Sequence, residues 1–560
     1  MSKEPGAGDI ITKKLKDIRR EGEEREAERL AAEKGILYLD LRTAPVSLEA
    51  LALLPEADAK EAHLAVVQKK KKELAVILSR PDAVESKKII QKLAQEGYAV
   101  KRYAVSESGL AEAWRSYTHV AKETAGITGK FEIEKGRLEA YSKDLSTMEA
   151  VQRELGKLDF TALLTLQIFE IVVAGALANR ASDIHFEAEE KQAKIRFRID
   201  GILHDIYDNL PPRNYHALSS RIKLLSGLKI NVQNEAQDGR FTIELTKKDV
   251  EVRVSSIPSE YGETIVLRIL DPDTINIDLE TLGLREDDLK IVEREILKPN
   301  GLILNTGPTG SGKTTTLYAF LKRVNSPDIK IITIEDPIEY HLGGVEQTQV
   351  DPKTGYTFVN GLRSILRQDP DTILVGEIRD TETAEIAIQA SLTGHLVFST
   401  LHTNDAVGAV PRLVDLGVKA TSVGPALTLV IAQRLVRRLC LSCKKKISIS
   451  EELKRKIDTF ISRLPPRVNR EKYTHPEIFE APGCAECNHT GYRGRVAVFE
   501  FLETGPEFEE AILKQVSEVS LKHIAERQAM VKMQEDGVLK VILGITSFEE
   551  VEKATGPISW

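Results

Sequence analysis

Gly307-Pro308-Thr309-Gly310-Ser311-Gly312-Lys313-Thr314 meets the pattern G-x-x-x-x-G-K-[ST] at every fixed position. Glycines let successive backbone N–H groups turn toward one point, which makes an anion-holding concavity at the start of a helix. Lys313 can then reach the β- and γ-phosphates of a nucleoside triphosphate such as ATP, and the Thr314 hydroxyl can hold Mg²⁺. A glycine-rich turn without this chemistry needs no Lys-Thr at its end. The context agrees with the motif. Leu302-Ile303-Leu304 reads as a buried strand, and the stretch from Thr315, the next contact candidate, to Asn325 reads as a helix.

Working outward, further short apolar runs follow from about residue 283 onward: Ile331–Ile334, Ile373–Val375 and Leu396–Phe398. Helical segments lie between them. Such alternation predicts a largely parallel α/β sheet buried on both faces, with active residues beyond the strands' carboxyl ends. Ile331–Ile334 ends in Glu335-Asp336-Pro337-Ile338-Glu339, whose carboxylates could hold Mg²⁺ through water or orient a nucleophile. The plain alternative is a solvated acidic turn. Ile373–Val375 ends in Gly376-Glu377, and Glu377 is placed to orient or deprotonate an attacking water. Asp371, before that strand, is a poorer candidate. His395 and His402 bracket Leu396–Phe398. His402, among Thr400, Thr403 and Asn404, could sense phosphate occupancy, or it could be structural. Hydrolysis develops charge on phosphate oxygens, which arginine forks stabilise. Arg253 and Arg268 sit on strands, flanked by apolar neighbours, so their side chains should oppose the buried face. Arg363 and Arg367 lie four apart on one side of a predicted helix, Gly361–Arg367.

A chain of 560 residues implies three or four domains, and 42% hydrophobic residues suffice for their cores. The net charge of −7 argues against a dominant nucleic-acid surface. No apolar run is long enough to cross a bilayer, and the charged N-terminus lacks a signal-peptide core, so a cytosolic protein is expected. The four cysteines form two CxxC pairs, Cys440/Cys443 and Cys484/Cys487. In a reducing compartment this pattern suits a tetrahedral Zn²⁺ site stapling a long excursion.

Upstream, residues 1–30 read as a charged arm, a solvated helix or frayed segment. Residues 31–117 read as a small α/β module, with strands at Leu74–Leu78 and Tyr98–Tyr103 and a helix through Leu93. The run Lys69–Lys72 fits a hairpin turn. Residues 118–158 read as a linker. A second domain, 159–275, starts with a helical pattern to Leu177 and carries half-buried strands at Ala193–Ile199, Val250–Ser255 and Thr264–Leu270. Asp271-Pro272-Asp273 reads as a hinge. The last domain spans 283–560 and includes the cysteine excursion, 440–490.

These motifs, in this order, resemble the secretion ATPases. Gly307–Thr314, Ile334–Glu339, Val375–Asp380 and Thr393-Gly394-His395…Leu401–Asn404 look like that family's Walker A loop, Asp box, Walker B strand and His box. Ala181–His185 and Arg196–Gly201 look like its second N-terminal domain, and Val538–Val551 like its C-terminal tail. The paired cysteines resemble the zinc insertion of the type II secretion and type IV pilus assembly branch (GspE/PilB), which retraction-type relatives generally lack.

The resemblance implies a RecA-like P-loop core, a PAS-like domain before it, and a homo-hexameric ring that hydrolyses ATP. It implies that Arg253, Arg268, Arg363 and Arg367 contact nucleotide and that Glu377 is the catalytic glutamate. It further implies an inner-membrane platform protein as partner, a second docking protein at the N-terminal module, and peripheral attachment at the inner face of the membrane. A pilus-retraction motor, a nucleic-acid translocase and a non-catalytic ATP-binding scaffold are the alternatives. One departure is Asn231–Ala236, where the family usually carries a basic, proline-containing run. The N-terminal arm also lacks the repeats by which some relatives bind cyclic di-GMP.

Overall fold

The computed structural model describes residues 22–41, 48–51, 53–70, 73–95, 97–115, 117, 130–132, 141, 144–160, 164–246, 248–275, 277–514 and 517–560. Most of the arm expected at 1–30 lies outside the described residues, as do Lys71 and Lys72, Thr161–Leu163 and much of the stretch 118–143. The chain divides into two compact units, Met1–Phe131 and Glu132–Trp560.

In the first unit, strands Leu64–Lys70, Glu73–Leu78, Ala99–Ala104 and Leu37–Tyr38 form a four-stranded sheet. Leu64–Lys70 pairs antiparallel with Glu73–Leu78, with Lys69 and Lys70 in the first strand opposite Leu74 and Glu73. The other contacts in the sheet are parallel. The crossover helix is Val84–Gln95, and its Leu93 packs with Val76, Ile77 and Leu110 in the unit's core.

The second unit's first helix, Met148–Gly156, lies within the stretch read as a linker and buries Val151 and Leu155; it packs on the helix Thr165–Ala178, which an antiparallel sheet follows. From Asp183 onward, the sheet's strands run in the spatial order Gln237–Glu244, Asp249–Ser259, Gly262–Leu270, Asp183–Ala188, Ala193–Ile199, Ile202–Leu210. Alternation places Val250, Val252 and Val254 inward and leaves Arg253 on the other face. Register then lines charges across that face. Arg253 stands opposite both Arg240 and Arg268, and Arg268 stands opposite Asp183, itself opposite Arg198.

After the short helix Pro272–Ile275, the chain builds a seven-stranded sheet. Its spatial order is Glu346–Gln349, Ile331–Glu335, Thr372–Val375, Leu396–Leu401, Gly301–Thr306, Leu427–Leu439, Tyr492–Glu503. All neighbours are parallel except the last pair. The four apolar runs read from sequence are strands here, and each is buried throughout. Two separate apolar layers clothe the two faces. The last two strands are long, at 13 and 12 residues, and form a hairpin whose open end carries the cysteine excursion. Within the excursion, the helix Glu451–Arg463 packs Ile457, Phe460 and Ile461 against Val538, Leu539 and Ile542 of the helix Met533–Ile542.

A buried ion network fastens these parts at the domain entrance. Arg285 donates to Asp287, Asp288 and Asp536, while Arg467 of the excursion also reaches Asp288 at 3.2 Å. Lys540 closes the network on Asp536, and Asp288 and Asp536 are fully buried. Removing one partner of such a network strands charge in low dielectric. Arg285→Met should therefore cost about 3–5 kcal/mol, read as a drop in the thermal unfolding midpoint of the purified chain.

Candidate functional site

Because the central strands are parallel, their carboxyl ends share one edge, and the predicted groups meet there. Gly301–Thr306 feeds the loop 307–312, and the helix Lys313–Val324 starts at its far end. Gly307, Gly310 and Gly312 have φ of 146°, 79° and 88°, in the left-handed region that only glycine enters freely. Pro308, Thr309 and Gly310 are exposed, Ser311 is buried, and Lys313, Thr314 and Thr315 are half-buried at the helix start. Lys313 Nζ donates to the Gly307 and Pro308 carbonyls at 2.8 and 3.1 Å. Burial lowers the Lys313 pKa, and the nearby Glu377 carboxylate opposes that.

Glu377 follows the strand Thr372–Val375. Its side chain is 15% exposed and is held by the Arg379 guanidinium on one oxygen. His402 Nε2 lies 3.7 Å from the other. The His402 pKa is lowered, first by burial and then by Lys313, which together outweigh the attraction of Glu377. The ring is thus a neutral hydrogen-bonding group near pH 7 rather than a second cation. Side chains bind these loops together. Ser399 and Thr400 donate to the Val375 and Gly376 carbonyls, each at 2.8 Å. The Thr306 and Thr403 hydroxyls are 2.7 Å apart. Lys313, Glu377 and His402 therefore form one electrostatically coupled group.

The remaining predicted residues stand elsewhere. Glu335 is 3% exposed and accepts from Tyr318, Thr333 and Gln347. Burial raises its pKa against those three bonds. Tyr318 belongs to the helix that begins at Lys313, so Glu335 braces that helix. Arg253 reaches from the antiparallel sheet to Glu339 at 3.0 Å and to the Ile338 carbonyl. It joins the second domain to the acidic turn. Arg268 pairs with Asp183 of its own sheet at 3.0 Å and is exposed. Arg363 pairs with Glu382. The helix carrying Arg363 is Phe358–Ile365, so Arg367 lies past its end and donates to Ser364. The expected single helical face thus holds Arg363 alone.

Sequence reasoning passed over Arg379, although it directly follows Glu377-Ile378. Only the fold brings its side chain back onto the carboxylate. It also passed over Arg240, whose cross-strand position beside Arg253 depends on register.

The cysteines converge. All four sulfurs lie within 4.8 Å of one another, with Cys440–Cys484, Cys443–Cys487 and Cys484–Cys487 at 3.9, 3.8 and 3.7 Å. A tetrahedral Zn²⁺ with thiolates at about 2.3 Å needs sulfurs about 3.8 Å apart, and disulfides need about 2.05 Å. The donor set fits zinc. Burial opposes ionisation of Cys487, but N–H donors from Cys484 and Gly491 bring its thiol down to about 7. The turn is also fastened to the second domain. Asn488 accepts from Met148 N at 2.8 Å and donates to Asn179 Oδ1 at 3.0 Å, and Gly494 N donates to Asp200 at 2.7 Å.

The comparisons with known proteins point the same way. The family model described as type II/IV secretion system protein matches residues 161–553. The chain is 44% identical over 392 residues to the type II secretion system ATPase E of Vibrio cholerae, covering 70% of this chain and 75% of that one. It is 36% identical over 534 residues to the type IV pilus assembly ATPase PilB of Myxococcus xanthus, covering 94% and 90%. Among solved structures, the Legionella pneumophila ATPase DotB superposes with a TM-score of 0.50 at 23% identity, covering 69% of this chain and 95% of that one, a likeness of fold. Fold and site together define a P-loop ATPase of the secretion and pilus-assembly motor class. The chain belongs to the type II/IV secretion system protein family.

Cys443→Ser should reduce bound zinc, measured by elemental analysis of the purified chain, from about one ion per chain to near none. The excursion 444–483 should then gain protease sensitivity.

Proposed function

We propose that ATP is held on Gly307–Thr315 and cleaved by a water that Glu377 activates. The observation that carries this is the coupling of Lys313, Glu377 and His402 at the shared edge of the parallel strands. Lys313 would exchange its loop carbonyls for phosphate oxygens, which a charge-assisted bond favours. Thr314 would hold Mg²⁺, which supplies neutralisation of phosphate charge. Arg253, Arg268, Arg363 and Arg367 are proposed to close on nucleotide. Arg253 already crosses to the Asp box, and Arg240 stands beside it in the same row. In the structure Arg253, Arg268 and Arg240 are paired with Glu339, Asp183 and Glu251, so a phosphate would compete with those carboxylates for the row. Glu335 is proposed to act by bracing the helix of Lys313, and His402 by reporting phosphate occupancy through Thr403 to Thr306.

Loss of the γ-phosphate would release the arginines and let the second domain swing about the segment near Pro272. Lys248 bridges Asp271 and Asp273 there. We place this cycle in a homo-hexameric ring on the cytoplasmic face of the inner membrane, driving type IV pilus assembly or type II secretion through a platform protein. Among the described residues no helix is long and apolar enough to cross a membrane, so attachment through partners is proposed. The zinc-bearing turn is the proposed platform contact, where Leu441 is 79% exposed between two metal-ligand cysteines. The first unit is the proposed dock for a second protein. The four-cysteine cluster favours assembly over retraction, and the net charge of −7 speaks against a nucleic-acid channel.

Glu377→Gln tests the central claim. It should lower ATP turnover by about 10²-fold or more, while ATP affinity stays near that of the wild type. Unchanged turnover, scored by phosphate release, would remove Glu377 from its role and the mechanism with it.

A further inference from the structure

Gln433 lies within the strand Leu427–Leu439 and is 1% exposed. That strand pairs with Gly301–Thr306, the last pair being Thr306 with Ala432. Gln433 therefore comes immediately after the pairing ends, directly under the phosphate loop. Its one amide oxygen accepts from Asn305 Nδ2 and from Thr316 Oγ1, each at 2.9 Å. Asn305 is the last but one residue of the strand that enters the loop, and Thr316 lies in the first turn of the helix that leaves it. A single buried acceptor thus ties together the two chain ends that the loop joins.

The loop also rests on this residue. A Cβ at Gly307 would lie 2.4 Å from the Gln433 carbonyl oxygen, and one at Gly312 would lie 2.9 Å from its side-chain nitrogen. Both ends of the loop therefore press on Gln433, Gly307 against its backbone and Gly312 against its amide end, and both take a positive φ that favours glycine. Asn305 and Thr316 are fully buried, as Gln433 nearly is, so the three side chains act beneath the loop.

We propose that Gln433 is a positioning residue for the hydrolysis reaction. It holds the two ends of the loop at the spacing that makes the backbone N–H groups converge, so the phosphate cradle exists before nucleotide arrives. Such preorganisation raises affinity by lowering the ordering cost of binding. The inference rests on the reading of Gly307–Thr315 as the ATP site.

The test uses the full chain with Gln433→Leu, which keeps bulk and removes the acceptor. Loss of one buried acceptor shared by two donors should weaken Mg-ADP binding about tenfold. KM for ATP should rise in parallel, while kcat at saturation stays within about threefold, since the groups meeting the reacting atoms are unchanged. The rise in thermal midpoint caused by Mg-ADP should shrink more than the midpoint of the nucleotide-free chain falls. Adding Asn305→Ala should cost less than the sum of the two single changes, because both remove one bond. If Gln433→Leu does not fold, Thr316→Val removes one donor at constant shape and should weaken Mg-ADP binding about threefold. ADP affinity within twofold of wild type in whichever variant folds would overturn the proposal. So would a fall in kcat and in the nucleotide-free midpoint with affinity intact. A wild-type chain that binds no Mg-ADP would overturn the reading of the loop itself, and this inference with it.

Discussion

The strand Gly301–Thr306 is buried along its whole length between two parallel neighbours. The chemistry of the motor domain depends on that constraint. A parallel strand forces its neighbours to end at the same edge. The loop after residue 306, the carboxylate after residue 376 and the imidazole after residue 401 therefore meet without any local sequence relation. Burial on both faces leaves the strand no freedom to tilt. The hydroxyl links from Ser399, Thr400 and Thr403 then join the loop bases directly.

Among the described residues, the second domain meets the motor domain at two distinct places. One is Arg253 on the acidic turn, a contact between a guanidinium 23% exposed and a carboxylate 33% exposed. Such a contact is weak and exchangeable. The other is the cysteine turn, where Asn488 accepts from Met148 N and donates to Asn179, and Gly494 N donates to the Asp200 carboxylate. The two contacts differ in kind: one rests on an ion pair, the other is a set of hydrogen bonds donated by backbone and amide N–H groups.

Much of this was legible in the sequence, for reasons that differ by region. The four apolar runs of the motor sheet could be read because strands buried on both faces are nearly continuous in apolar residues, with Thr333 the one polar residue inside a run. The loop glycines and the paired cysteines could be read because backbone sterics and metal geometry tie residue type to spacing. The hairpin of Leu427–Leu439 and Tyr492–Glu503 could not. Its arginines and glutamates break the apolar pattern, and their partners are distant: Arg437 with Glu550, and Glu500 with the N–H groups of Ala406 and Met533. The burial of Glu335 was equally hidden, since three separate segments supply its donors. Arg367 was assigned to a helix that ends at Ile365, because four-residue spacing does not reveal where a helix stops. For Arg379, Arg240 and Gln433, the defining neighbours lie across strands or loops, and single-chain patterns carry no register.

The strand Leu427–Leu439 also has a mechanical consequence. It is one extended rod with Gln433 under the phosphate loop and Cys440 immediately past its end. At about 3.3 Å per residue, those two points stand roughly 23 Å apart, and an extended backbone locked into a sheet cannot stretch. The rod acts as a ruler. A residue inserted or deleted between positions 433 and 440 would throw one end out of place, whereas the turns of the excursion beyond Cys443, outside the packed helix Glu451–Arg463 and Arg467, can change length without moving either end. Length drift during evolution should accordingly collect in the excursion and spare the seven-residue span.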